Sequence, residues 1–256
     1  MRKLMKDQEV GLDPYFRYRG KNQTRVEAFT DAAFALGITL IVLSTSAPNT
    51  FEELWLSMRD VVPFGLCVIL VMVIWYQHYI FFLRYGLQDS RIITLNTFLI
   101  FLILIYVYPL KFLFKILFDL YVGLFTSDRE IFQHLFTSVI KLEDTPTLMM
   151  LYGLGAACIF FTISLMYRHA LKISSELELD EYEIHETKAA LRTNLLMGII
   201  PLLSALIALS GLFGMHNFTV SGFIYMLYPP VMITHGKMAQ KRRDQLLKKL
   251  NLQPDK

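Results

Sequence analysis

Six blocks of apolar residues, at roughly 26–46, 61–83, 92–109, 147–167, 193–213 and 218–235, alternate with polar and charged segments. Each is close to the ~20 residues that a helix needs to cross the hydrocarbon core of a bilayer. The pattern predicts an all-α integral membrane protein with six transmembrane helices. Span 1 opens on Thr24-x-x-Glu27, a capping-box pattern whose side chains satisfy the free amides of a first turn. Span 3 is expected to stop or kink at Tyr108-Pro109, because proline lacks the amide that would continue the helix. Span 4 opens on Asp144-Thr145-Pro146, a cap followed by an early-helix proline. Pro201 in span 5 and Pro229-Pro230 in span 6 predict bends. No internal repeat of the inverted-repeat transporter kind is evident.

Two further stretches lie outside the spans. Residues 127–142 start with Ser127-x-x-Glu130, and Ile131, Phe132, Leu135, Phe136, Val139 and Ile140 follow at helical spacing. This reads as a short amphipathic helix on the outer surface. Residues 174–188 are rich in Glu and Asp and read as a solvated helical extension.

Composition and charge sharpen this outline. The chain of 256 residues is 54% hydrophobic, with a mean hydropathy of +0.44, so most of its core is lipid and neighbouring helices. Cys67 and Cys158 both fall in apolar blocks and read as buried free thiols, with no disulfide framework and no metal site. The basic N-terminal segment encloses no apolar core, unlike a cleavable signal peptide. Of the 25 Lys and Arg residues, 20 fall in the termini and the 2–3 and 4–5 loops, and 5 on the alternate side. The positive-inside rule then puts both termini in the cytoplasm, as an even number of spans requires. Residues 1–256 read as a single six-helix domain of a multi-pass cell-membrane protein, with a basic cytoplasmic tail over 237–256. The tail's six cations from Lys237 to Lys249 fit either a topology signal on a solvated helix or contact with anionic lipid headgroups. No cofactor and no nucleic-acid partner is expected.

The candidate chemistry collects where the topology brings distant residues to one depth. Arg25 and Asp31 lie at the inner end of span 1, Trp75 and His78 at the inner end of span 2, and Asn96 near the inner end of span 3. Asp31 needs a partner there, since unpaired intramembrane charge costs several kcal/mol. Arg25, His78, the Trp75 indole and the Asn96 amide are the available donors. Asp31 is either a structural anchor or a permeation or proton-relay residue. His78 is either a satisfied interfacial histidine or a pH-sensitive member of the cluster. Further along span 1, Leu36, Leu40 and Leu43 share one face within about 60°, with Thr39 beside them. Asp31 points roughly 140° away from Leu36 on an ideal helix. Ala28, Ala35, Gly37 and Ser46 supply small residues that let neighbours approach.

Arg25-Val-Glu-Ala-Phe29-Thr30-Asp31 resembles the Arg-x-x-x-Phe-Ser-Asp motif at the start of the first helix in the endolysosomal potassium channel family, whose prokaryotic members have a single six-helix unit. Thr30 stands for the usual Ser, keeping the hydroxyl and adding a methyl. Trp75-x-x-His78, Leu95-Asn96 through Pro109, and Arg192 ahead of Pro201 are also similar to the family pattern. The resemblance is weak in residues 110–144 and in the tail. It implies a potassium-permeable, weakly selective cation channel that is a homotetramer, with helix 1 of each subunit lining the pore. It also implies a non-canonical potassium channel architecture without a carbonyl filter, and this sequence has no Thr-Val-Gly-Tyr-Gly-like loop. The resemblance implies a constriction of bulky aliphatic side chains, which falls here on Leu36, Leu40 and Leu43, with Thr39 as the nearby hydroxyl. Leu36 lies about 15 Å along the helix from Val26, near the bilayer midplane, where four leucines would gate by excluding water. K+ is the expected permeant ion.

Two rival readings differ in kind. A small proton- or cation-coupled secondary transporter would use Asp31 and His78 as its coupling site, yet paired broken helices are missing. An intramembrane enzyme would need a catalytic pair, yet no His-Glu-x-x-His motif occurs and neither cysteine lies at the depth of His78.

Overall fold

The computed structural model describes residues 13–43, 48–126 and 133–250, and among them every regular element is helical. Helix α1 spans Arg25–Leu43, α2 Phe51–Arg59, α3 Val61–Tyr85 and α4 Ser90–Thr126. After a π turn at Leu135–Val139 come α5 (Thr145–Lys172), α6 (Glu181–Ser210), α7 (Asn217–Ile224) and α8 (Tyr228–Lys249). Among the described residues four stretches are long and apolar enough to cross a membrane: α3, Ser90–Val107 of α4, α5 and α6.

Several boundaries differ from the sequence expectation, each for a local reason. The helix of span 3 does not stop at Pro109 but runs on to Thr126. Tyr152 of α5 donates its hydroxyl to the Pro109 carbonyl, so tertiary packing supports the backbone there. Lys111, two residues beyond the proline, reaches the Ile41 carbonyl near the end of α1 at 3.5 Å, where a cation suits the helix dipole. Span 6 is broken rather than bent. A 3-10 turn at Tyr225–Leu227 separates α7 from α8, whose Pro229-Pro230 occupies the first turn, where missing amides cost nothing. Helix α2 was not anticipated; Thr50 caps it by accepting from the Glu53 amide at 3.2 Å.

The two segments read as surface helices are packed against the protein. In the described part of 127–142, Leu135 and Ile140 are buried against Ile116 of the α4 extension. Ser127 to Phe132, with the second capping box, lie outside the described residues. The acidic segment is not simply solvated either. A capping box between Asp180 and Glu183 starts α6 there, and Glu183 and Glu186 are buried. Cys67 is buried as expected, whereas Cys158 is exposed.

Helices α5 and α6 make the most extensive contact in the molecule. Gly153 makes it possible: a Cβ there would stand 2.5 Å from the Pro201 carbonyl oxygen and 2.8 Å from the Ala205 Cβ. On this scaffold α3 and α4 pack through Phe81, Leu99, Ile103, Ile163 and Met166, and α1 lies against α3 and α4. Residues 13–24 cross the end of the bundle where α3 stops and α4 begins. Gly20 donates to the Leu83 carbonyl at 3.0 Å and Arg19 to that of Arg84 at 3.3 Å.

Candidate functional site

The first two turns of α1 meet α3 and α4 through two separate sets of hydrogen bonds. In the first, Trp75 Nε1 donates to Asp31 Oδ1 at 2.8 Å, and Gln23 Nε2 donates to the other carboxylate oxygen at 2.9 Å. In the second, Asn96 Nδ2 donates to Thr30 Oγ1 at 2.7 Å, and Thr30 passes its own proton to the Val26 carbonyl at 2.7 Å. That orientation leaves Asn96 Oδ1 to accept from His78 Nε2 at 2.9 Å. The chain of donors is directional, and it ends on the backbone of α1. Thr30, His78 and Asn96 are all buried, at 0%, 1% and 2% exposure, where an unsatisfied polar group would be costly.

Not every expected donor takes part. Arg25 is exposed and makes no hydrogen bond or ion pair among the described residues. Its place beside Asp31 is taken by Gln23, which sequence reasoning did not single out. His78 and Asn96 bond to each other rather than to Asp31. Thr30 joins the network because its hydroxyl both accepts and donates. Its extra methyl relative to serine fits a fully buried position.

Helix α1 has two unlike faces. Thr30, Phe34, Gly37 and Ile41, spaced i, i+4, i+7 and i+11, are all buried. Gly37 faces α4, where a Cβ would make only an ordinary contact with Val107 at 3.6 Å. The opposite face carries Arg25, Phe29, Ala32, Leu36, Thr39 and Leu40, all exposed. Phe29 is 68%, Leu36 51% and Leu40 39% exposed. The Arg25–Asp31 motif therefore divides: Arg25 and Phe29 look outward, while Thr30 packs inward. Thr39 turns its hydroxyl back to the Ala35 carbonyl at 2.9 Å, its methyl remaining for the exposed face. Leu43 ends the helix, and its side chain lies outside the described residues.

A second polar assembly clamps residues 17–19 and α8 to the start of α6. Glu183 accepts from Arg19 Nη1 and Nη2 at 2.9 and 2.7 Å and from the Arg17 amide at 2.9 Å. Burial pushes the Glu183 carboxyl up, but the Arg19 hydrogen bonds and those from the Arg17 and Asp180 amides outweigh it and hold it below the usual range. Glu186 shows the same balance: burial raises it, and the bidentate contact from Arg243 of α8 brings the net shift down. Lys249 pairs with Glu181 at 2.7 Å. Both carboxylates precede the apolar stretch of α6, which begins after Arg192. Among the described residues no group of three or more His, Cys, Asp or Glu could hold a metal ion.

Comparison with known proteins gives these features a family. The family model described as Endosomal/lysosomal potassium channel TMEM175 matches residues 25–109, the stretch holding α1 and, apart from Gln23, both hydrogen-bonded sets. A protein of Marivirga tractuosa named potassium channel is 52% identical over 251 residues, covering 96% of this chain and 99% of its own. The chain belongs to the TMEM175 potassium channel family. A solved structure agrees over nearly its whole length. The crystal structure of a threonine-to-alanine variant of the potassium channel MtTMEM175, bound to a Nanobody-MBP fusion protein, superposes with a TM-score of 0.81 at 51% identity. The match covers 91% of this chain and 100% of that one. Members of this family are ion channels rather than enzymes.

Proposed function

We propose that the chain is a potassium-permeable, weakly selective cation channel of the cell membrane, assembled from four copies with α1 of each lining a central pore. The observation that carries this reading is the unpartnered apolar face of α1. The other face is packed, yet Leu36 and Leu40 remain 51% and 39% exposed. Four such faces meeting on an axis would bring the Leu36 side chains into a ring that gates by dewetting. Leu40, Thr39 and Leu43 continue the wall. Without a ring of carbonyls to replace the hydration shell, discrimination between monovalent cations is weak. Arg25 and Phe29 share this face and would meet neighbouring copies at its N-terminal end.

In this reading residues 1–256 form one six-span domain with both termini cytoplasmic, and α7 with the first turns of α8 makes the sixth crossing. The basic tail serves as topology signal and clamp, because Arg243 and Lys249 are occupied by Glu186 and Glu181. Asp31 and His78 act as anchors. The transporter alternative needs them to work on one another, whereas each is bonded to a different partner.

The deciding experiment is potassium flux into liposomes holding purified protein with Leu36→Ala. The expected result is a higher resting leak and a lower ratio of potassium to sodium permeability. Wild-type currents and reversal potentials in the variant would remove Leu36 from the constriction.

A further inference from the structure

A groove of about 770 Å³ opens between the start of α4 and the end of α5. Its polar wall is made by Arg91, Arg168, His169 and Lys172 with the hydroxyls of Ser90 and Thr94, and no acidic residue lines it. Arg91, Arg168 and Lys172 are exposed and form no ion pair among the described residues. His169 is different. Its side chain is 10% exposed, its Nε2 lies 2.9 Å from Asp89 Oδ2, and its Nδ1 has no hydrogen-bond partner. One to two turns further along the helices the lining changes to Leu95 and Leu165, of which Leu165 is 45% exposed.

We propose that this groove binds an anionic phospholipid, the phosphate seated among Arg91, Arg168 and Lys172 and an acyl chain running along Leu95 and Leu165. Charge complementarity supports an anion, because Arg91, Arg168 and Lys172 outnumber the one carboxylate beside the groove, Asp89, which lies against His169 and the Arg91 amide. The order of the lining selects a lipid over a free phosphate: the cations stand at the helix ends, where Leu171 joins them, and Leu95 and Leu165 lie at greater depth, as headgroup and chain do in a leaflet. The volume is within the ordinary range for small-molecule sites, about 300–1,000 Å³. The groove sits at the end of the bundle that carries residues 13–24, so under the proposed orientation the lipid comes from the cytoplasmic leaflet. The inference rests on the membrane-spanning part of the functional reading and not on ion conduction.

The test is native mass spectrometry of the purified full-length chain titrated with phosphatidylglycerol, with phosphatidylcholine as the neutral control. Arg168→Gln with Lys172→Gln should weaken phosphatidylglycerol binding about 25-fold, about fivefold for each cation removed. Lys241→Gln with Arg242→Gln, on the exposed tail, should leave it unchanged. Arg91→Gln, on the other wall, should cost about fivefold and serves if the double variant does not fold. Equal losses from the tail pair and the groove pair would overturn the proposal, as would equal binding of phosphatidylcholine. Competition by glycerol phosphate at the concentration of the lipid would reassign the groove to a soluble anion. Because the readout is lipid bound per chain, a protein that bound lipid but carried no potassium would contradict the channel reading alone.

Discussion

The indole of Trp75 and the carboxylate of Asp31 are joined by a 2.8 Å hydrogen bond that ties α1 to α3 across 44 residues of sequence. The charge on the acceptor makes this a strong contact, and the indole also stacks on Tyr79 at 5.4 Å between ring centroids. Trp75→Phe should keep the stacking and lose the donor. Hydrogen bonds to charged groups contribute about 1.5–3 kcal/mol, so the melting temperature in detergent should fall by several degrees. Asp31→Asn keeps an acceptor oxygen and should fall less. Potassium flux separates the two readings of Asp31: an anchor leaves conduction by the folded Asp31→Asn protein normal, whereas a permeation residue does not.

Thr30 invites a finer comparison, because its hydroxyl serves both Asn96 and the Val26 carbonyl. Thr30→Val keeps the shape and removes both bonds, leaving the buried Asn96 amide without its acceptor at a cost of about 1–3 kcal/mol. Thr30→Ser keeps both bonds and loses one buried methyl, about 0.8 kcal/mol. The expected order of thermal stability is wild type, then Ser, then Val. Serine below valine in the same melting series would show that the methyl and not the hydroxyl matters at this position.

Much of this arrangement could be read from the chain because it is local. The apolar blocks marked α1, α3, the first part of α4, α5 and α6, and helical spacing put Leu36, Leu40 and Thr39 on one face. The composition of the facing ends of spans 1 to 3 also named Trp75, His78 and Asn96 as hydrogen-bonding groups. What was not legible depends on tertiary distance. Nothing in the sequence chooses Gln23 over Arg25 as the second donor to Asp31, since both are one or two turns away and only the path of residues 13–24 decides. Pro109 signals an ending, and only the Tyr152 hydroxyl and Lys111 explain why α4 continues. The acidic segment before α6 looked solvated because its partners, Arg17, Arg19 and Arg243, lie at the two ends of the chain.

The closeness of α5 and α6 gives a prediction about packing alone. Gly153→Ala would put a methyl 2.5 Å from the backbone oxygen of Pro201, which has no flexible end to move aside. The helices must separate, and overpacking of this kind costs about 1–3 kcal/mol. Gly222→Ala, with nothing near its Cβ, is the matched control and should be neutral or slightly stabilising by helix propensity. The two variants should therefore differ in melting temperature in detergent, and equal values would mean that α5 and α6 are not in contact at Gly153.

The clamp at Glu183 makes a prediction in pH whose sign follows from the direction of its shift. The carboxyl is held below its ordinary range in the folded chain by Arg19 and by the amides of Arg17 and Asp180, acting against the effect of burial. A group with a depressed folded pKa stabilises fully above its unfolded value, about 4.3 for glutamate, and loses that contribution as pH falls through the folded value. Residues 13–24 should thus stay docked from neutral pH down to about 5 and come free only in stronger acid. Limited proteolysis between Arg17 and Lys21, with an acid-tolerant protease at several pH values, reads the docking directly. Glu183→Gln should abolish the dependence and expose the segment already at pH 7, because the neutral amide cannot replace the bidentate contact with Arg19. Arg243→Gln removes the parallel clamp on Glu186 and should loosen α8 while leaving the N-terminal cleavage pattern unchanged, which assigns any pH effect on residues 13–24 to Glu183.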